Sequence, residues 1–211
     1  MMLDTGKEIA KKLLDIGAVK VQPEDPFTWA SGWKSPIYCD NRKTLSFVKT
    51  RDYVKRAFVA KIRKLYPEVE AIAGVATGAI ALGVLVADEM DLPFVYVRSK
   101  AKGHGMENLI EGTLETGKKV VIIEDLVSTG GSSLKANEAL LKAGSDVLGM
   151  LAIFTYGFPI AENNFTNANC RLTTLSNYSI LVEYALEQGK ITSDQVETLM
   201  NWRKSPETWG K

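Results

Sequence analysis

The chain has 211 residues, 45% of them hydrophobic and 24% charged, with a formal net charge of +1. That balance fits a soluble globular chain long enough to bury one sizeable core, and it argues against a surface built for nucleic acid, where phosphate binding demands a strong basic excess. Two cysteines, Cys39 and Cys170, and one histidine, His104, exclude a disulfide framework and leave little material for a zinc site or Ser/His/Asp catalysis; free thiols imply a reducing, cytoplasmic setting.

The charged stretch from Met1 to Lys12 has no apolar h-region, so no secretory signal is expected. Thr5-Gly6-Lys7-Glu8 reads as a capping box. Ile9, Leu13, Leu14 and Ile16 follow at helical spacing, with Gly17 as C-cap. Residues 21–47, rich in proline and polar side chains, read as irregular structure or short strands facing a ligand. A helix is expected over about 48–65, its face given by Tyr53, Val54, Ala57, Phe58, Lys61, Ile62 and Leu65. Residues 71–87 carry no charge but include Gly74, Thr77, Gly78 and Gly83, and they fall short of the roughly 20 apolar residues of a spanning helix. A buried strand, a glycine loop and a helix fit them better, and no membrane segment is expected.

Apolar runs at 71–75, 93–97, 119–123 and 147–154 then alternate with helical segments at 79–90 and 131–143. A short strand near 172–174 and helices near 177–188 and 193–203 complete the chain. Strands alternating with helices predict an α/β fold: a Rossmann-like central parallel sheet flanked by helices with right-handed crossovers. The expected organisation is a single domain over 1–211, with residues 1–45 as an N-terminal hood and 46–211 as the core.

The strongest chemical signal runs from Val120 to Ser133. The apolar strand Val120-Val121-Ile122-Ile123 meets Glu124-Asp125, and Leu126-Val127-Ser128-Thr129-Gly130-Gly131-Ser132-Ser133 then opens into a helix. A helix N-terminus offers unpaired N–H groups and a positive dipole end, and glycines let the backbone approach a phosphate. Ser128, Thr129, Ser132 and Ser133 add hydroxyl donors, while the acidic pair suits ribose hydroxyls or a metal ion beside the phosphate. A serine-rich N-cap and a solvated strand end are the plainer readings. Two adjacent acids at the carboxyl end of a buried strand, where open α/β sheets bind ligands, weigh against both. Neither G-x-x-x-x-G-K-[ST] nor a G-x-G-x-x-G after a strand is present, which sets a dinucleotide-binding dehydrogenase aside. A second cluster, Arg98-Ser99-Lys100-Ala101-Lys102-Gly103-His104-Gly105, puts three cations beside the lone histidine in a loop after a strand, the place for a lid over a polyanion.

Glu124 to Ser133 resembles the PRPP-binding motif of type I phosphoribosyltransferases. Arg98 to Gly105 resembles the catalytic loop of the orotate phosphoribosyltransferases among them. Phe27-Thr28-Trp29-Ala30-Ser31-Gly32-Trp33-Lys34-Ser35-Pro36-Ile37-Tyr38-Cys39-Asp40-Asn41-Arg42 looks like the orotate-side segment of that family, and Gly74-Val75-Ala76-Thr77-Gly78-Ala79-Ile80 like its pyrophosphate loop. The resemblance covers about residues 5 to 155. It implies transfer of ribose 5-phosphate from PRPP to orotate, with Mg²⁺ held mainly through PRPP and Asp125 as the candidate side-chain ligand. Lys102, His104, Arg98 and Asp125 are the implied catalytic residues. PRPP binding is implied for Arg98, Lys100, Lys102 and His104, for Thr77, and for Glu124, Asp125, Leu126, Val127, Ser128, Thr129, Gly130, Gly131 and Ser132. Orotate is implied at Ser128, Tyr38 and Lys34.

The resemblance also implies a homodimer whose lid loop reaches the neighbouring site, with no nucleic-acid or membrane partner. It departs from some relatives at Ala30, Gly78 and Tyr156, where they carry cations, and at Ser128, which replaces a threonine. A transferase for another base, such as a purine, and a PRPP-binding regulator that binds RNA are the alternatives. The 27–42 segment disfavours the first; the near-neutral charge and the Lys100/Lys102/His104 loop disfavour the second.

Overall fold

The computed structural model describes residues 4–29, 31–99 and 109–210. The chain opens with α1 (Thr5–Asp15), whose first turn contains Thr5; Asp4 occupies the N-cap without a side-chain hydrogen bond. The expected Thr5–Glu8 capping box therefore does not form, and Glu8 pairs with Lys12 one turn on, at 3.0 Å. Gly17 closes the helix with φ 64°, a left-handed conformation that costs glycine little.

The hood is built from very short strands. β1 (Val19–Val21) pairs antiparallel with β4 (Ile37–Cys39), and β2 (Phe27–Thr28) pairs with β3 (Lys34–Ser35). A 3-10 segment, Asn41–Ser46, leads into α2 (Val48–Leu65), which matches the expected helix. Val54, Phe58 and Ile62, one turn apart, are 0% exposed, as the 3.6-residue spacing requires of a core face.

The core follows as β5 (Ala71–Val75), α3 (Ile80–Met90), β6 (Phe94–Val97), β7 (Ile110–Glu111), β8 (Lys119–Val127), α4 (Gly131–Lys142), β9 (Asp146–Thr155), α5 (Pro159–Asn167), β10 (Leu172–Asn177), α6 (Tyr178–Glu187) and α7 (Ser193–Lys204). Six strands form one sheet in the order β10-β9-β8-β5-β6-β7, parallel throughout except for β7. Successive side chains of a strand face opposite ways. Along β8, Val121 and Ile123 enter an apolar layer shared with α1, α2, α3, α6 and α7, while Val120 and Ile122 enter a second layer under α4 and α5. Each such buried side chain contributes about 1.5–3 kcal/mol over its exposed state. Among the described residues no helix is long and apolar enough to cross a membrane.

Two departures from expectation bear on the site. β8 does not end before the acids: Glu124 pairs with Ala152, Leu126 with Phe154 and Val127 with Thr155, because the ten-residue β9 keeps offering partners. The α5 helix, unforeseen in an Asn-rich stretch, begins with Pro159 in its first turn, a position that tolerates the missing N–H.

Candidate active site

Strand alternation gives the two acids different neighbours while their side chains stay in reach of each other. Glu124 shares its side of β8 with Ile122 and turns under α4; its side chain is 4% exposed. One carboxylate oxygen accepts from the Ser133 hydroxyl at 2.7 Å and the other from the Asp125 N–H at 2.9 Å. Burial, reinforced by the neighbouring Asp125 carboxylate, pushes its pKa up to about 8. Ser133, expected among the phosphate donors, is instead buried against Glu124. Each Glu124 oxygen thus accepts one hydrogen bond from the protein.

Asp125 is half-buried and faces the other side, against the 76–79 loop, where its carboxyl group fills the space a Gly78 side chain would need. Exposed Thr77, joined to Ala76 by a cis peptide, stands in the same loop. The Asp125 carbonyl accepts from the Asn41 side chain at 2.6 Å. Asn41 is 1% exposed; its own amide oxygen accepts from the Cys39 thiol at 3.2 Å, and its carbonyl from the Thr44 hydroxyl at 2.6 Å. It thus ties the hood to the acidic strand. Sequence reasoning missed it, because a lone amide between Asp40 and Arg42 looks like part of a solvated polar run.

The loop after β8 opens directly into α4, as expected. Gly130 has φ 83°, and a Cβ there would come within 2.8 Å of the Phe165 ring. The helical ladder starts with Leu134 N–H to the Gly130 carbonyl at 2.9 Å, so the N–H groups of residues 131–133 precede it at the positive end of α4. Ser128 and Thr129 are half-buried, and Gly131 and Ser132 are exposed. Asn164 of α5 holds the loop by donating to the Thr129 carbonyl at 2.9 Å. The Val127 side chain is 0% exposed and packs in the α4 layer, so it supports the loop rather than offering a contact.

A cavity of about 340 Å³ adjoins this loop, lined by Thr28, Trp29, Tyr38, Cys39, Leu126, Ser128 and Tyr156. Tyr38, 40% exposed, meets Phe27 with ring centroids 5.6 Å apart. Tyr156 is 2% exposed, with Trp29 at 5.0 Å, stacked Phe158 at 5.4 Å and Trp202 at 5.7 Å; burial holds its phenol well above the usual range. Burial likewise raises the Cys39 thiol, with Asp125 and Asp40 adding to it, so Cys39 is a wall and not a nucleophile. Lys34 does not line the cavity: its ammonium donates to the Thr28 hydroxyl at 2.9 Å, one residue removed. Arg42 is paired with Asp40 at 2.7 Å.

Arg98, at the end of β6, pairs with Glu111 at 3.2 Å, and its N–H donates to the Leu109 carbonyl at 2.8 Å. Lys100, Lys102 and His104, and also Ala30, lie outside the described residues. Among the described residues no group of three or more His, Cys, Asp or Glu side chains is placed to cage a metal. The hard carboxylate of Asp125 fits Mg²⁺ as one oxygen ligand among several supplied by substrate phosphates and water. A larger groove of about 520 Å³, between α5 and the open edge of β10, contains none of the motif residues.

The structure thus gathers Glu124 to Ser132, Thr77 and Tyr38 at the carboxyl end of the parallel strands. Comparison with known proteins identifies the family. The phosphoribosyl transferase domain family matches residues 51–188. An orotate phosphoribosyltransferase of Porphyromonas gingivalis is 59% identical over 209 residues, 99% of this chain and 100% of that protein. Among solved structures, an orotate phosphoribosyltransferase of Aeropyrum pernix is 27% identical with a TM-score of 0.76, over 87% of this chain and 99% of that one. A UMP synthase of Leishmania donovani is 28% identical with a TM-score of 0.78, over 94% of this chain but only 42% of that longer protein. This chain belongs to the phosphoribosyltransferases, and within them to the orotate phosphoribosyltransferase family.

Proposed function

We propose that this protein transfers ribose 5-phosphate from PRPP to orotate, giving orotidine 5′-phosphate and pyrophosphate, a step in making UMP. The observation that carries the reading is the abutment of the 128–132 phosphate loop and the aromatic-walled cavity, which share Ser128. A phosphorylated sugar held at the loop has its anomeric carbon directed toward a flat base in the cavity.

The bond to pyrophosphate breaks as a ring nitrogen of orotate bonds to the anomeric carbon. Positive charge develops on the ribose and negative charge on the leaving group, so groups that hold pyrophosphate bind the transition state better than the ground state. Lys102, Lys100, His104 and Arg98 take that role. Mg²⁺, when bound, shares it by neutralising phosphate charge. Asp125 takes a ribose hydroxyl and would be a ligand for the metal ion, and the α4 N-terminus with Ser128, Thr129 and Ser132 takes the 5′-phosphate. Tyr38 and Ser128 contact the base, and Lys34 beside Thr28 supplies the countercharge for its carboxylate.

The reading includes a homodimer whose lid loop, from Arg98 to about Gly112, serves the neighbouring site. Phe47, Val48 and Val84 are exposed apolar side chains (44%, 65% and 45%) on or beside α2 and α3, and they are candidates for contact with a second copy. The test is PRPP-dependent loss of orotate absorbance beside hypoxanthine, adenine and uracil. Orotate alone should turn over; preference for a purine would overturn the substrate assignment.

A further inference from the structure

We propose that Trp202, on the C-terminal helix α7, is a positioning residue for the substrate base. The inference rests on the orotate reading above and adds an element that the domain match over 51–188 leaves out.

The hood strands nearest the cavity are very short, and β3 continues through buried Ser35 into β4, where the Ser35 hydroxyl donates to the Ile37 carbonyl at 2.7 Å. β2 and β3 form a two-stranded pair that joins no larger sheet, and such a pair is marginal by itself in water. Its position is set by anchors from elsewhere, and the C-terminal helix provides one. Trp202 is 0% exposed, and its indole N–H donates to the Lys34 carbonyl at 3.0 Å across 168 residues of sequence. The same ring meets Trp29 edge-on at 5.6 Å and Tyr156 edge-on at 5.7 Å, and both of those line the cavity.

The other end of the linkage is chemical. None of the seven lining side chains is a cation. Lys34 brings one to 2.9 Å from the Thr28 hydroxyl, which does line the cavity, and Lys34 and Thr28 are register partners in β2–β3. Where the Lys34 backbone sits therefore decides where an ammonium and a hydroxyl stand at the mouth of the cavity, in reach of a carboxylate on a planar ring. Trp202 fixes that backbone.

The helix is itself well secured. Thr192 and Gln195 form a reciprocal capping box at its start, the Tyr178 hydroxyl donates to the Leu199 carbonyl at 2.9 Å, and Arg203 donates to the Ser179 hydroxyl at 2.6 Å. This arrangement gives the C-terminal helix a task beyond covering the core: it registers the base-facing hairpin against the sheet. Trp202 touches no substrate and acts through Lys34 and Trp29.

The test separates the two Michaelis constants. Trp202→Phe keeps an aromatic ring and removes the N–H. The loss of one such hydrogen bond predicts a rise of about 5-fold in KM for orotate, with KM for PRPP changed by less than about 2-fold. Arg203→Ala, peripheral and safe for folding, loosens α7 and shifts the orotate KM in the same direction by about 2-fold. Combined with Lys34→Ala, Trp202→Phe raises the orotate KM by less than it does alone, because part of its effect runs through the Lys34 ammonium. Leu140→Ala, in the opposite apolar layer, lowers the thermal midpoint without altering the ratio of the two constants. Equal rises in both constants, or an orotate KM unchanged in Trp202→Phe and in Arg203→Ala, would overturn the proposal while leaving the orotate reading intact. A wild-type enzyme inert toward orotate would overturn that reading and this proposal with it.

Discussion

Replacing Glu124 by Gln should remove most of the pH dependence of stability between pH 5 and 8. Glu124 is 4% exposed, and burial beside Asp125 raises its pKa from 4.5 to about 8. In that window the folded chain keeps a proton that the unfolded chain releases. The stabilising effect is full below about 4.5 and fades as the pH rises through about 8, so stability falls with rising pH. The slope is about 1.4 kcal/mol per unit, which sets a ceiling of about 3 kcal/mol between pH 5.5 and 7.5. With a urea dependence of about 2–3 kcal/mol per molar, the wild-type midpoint should fall by about 1 M over those two units relative to Glu124→Gln. Urea unfolding followed by tryptophan fluorescence, without PRPP or Mg²⁺, measures both. Parallel pH profiles for the two proteins would refute the buried, protonated Glu124.

Asn41→Ala leaves the Asp125 carbonyl without its partner and should cost about 1–3 kcal/mol in urea unfolding, with a fall of about 10-fold in kcat/KM. Gly130→Ala forces a side chain into φ 83° and against Phe165; roughly 1–2 kcal/mol of strain and a tenfold or larger rise in KM for PRPP are expected in the same assays. Lys102→Ala should lower kcat by about 10²–10³, with a smaller change in KM, if its charge acts on the leaving pyrophosphate. The proposed homodimer, if Val48 lies at its interface, predicts that Val48→Glu lowers the mass in light scattering from a dimer's to a monomer's; a dimeric mass unchanged by the substitution would place Val48 outside the interface.

The parts of the fold that were legible in the sequence are those with strong periodicity. The α2 helix, the run Ala71–Val75 and the helix opening at Gly131 each repeat one chemical pattern over a full element. The Thr5–Glu8 pattern misled because a capping box needs its hydroxyl residue outside the first turn, and Thr5 lies inside it. The box that forms pairs Thr192 with Gln195, glutamine serving in place of glutamate.

At the site, the motif gave both acids but not their division of labour. Strand continuation past Ile123 sends Glu124 under α4 and Asp125 toward Gly78, and that depends on how far β9 extends. The base cavity joins residues 28–39 with 126–128 and 156, segments whose proximity no local pattern encodes. Asn41 and Trp202 belong to the same class: each acts through one hydrogen bond to a backbone carbonyl far away in sequence. Hydrogen bonds to backbone carbonyls place no demand on the partner's side chain, so they leave no paired signal to read.

The most direct measurement of the central claim is the stoichiometry of the reaction with purified protein, PRPP, Mg²⁺ and orotate. The account predicts one pyrophosphate released and one orotidine 5′-phosphate formed for each orotate consumed, with none of the three changes when PRPP is omitted. Pyrophosphate release without the nucleotide, or with orotate left unconsumed, would contradict it.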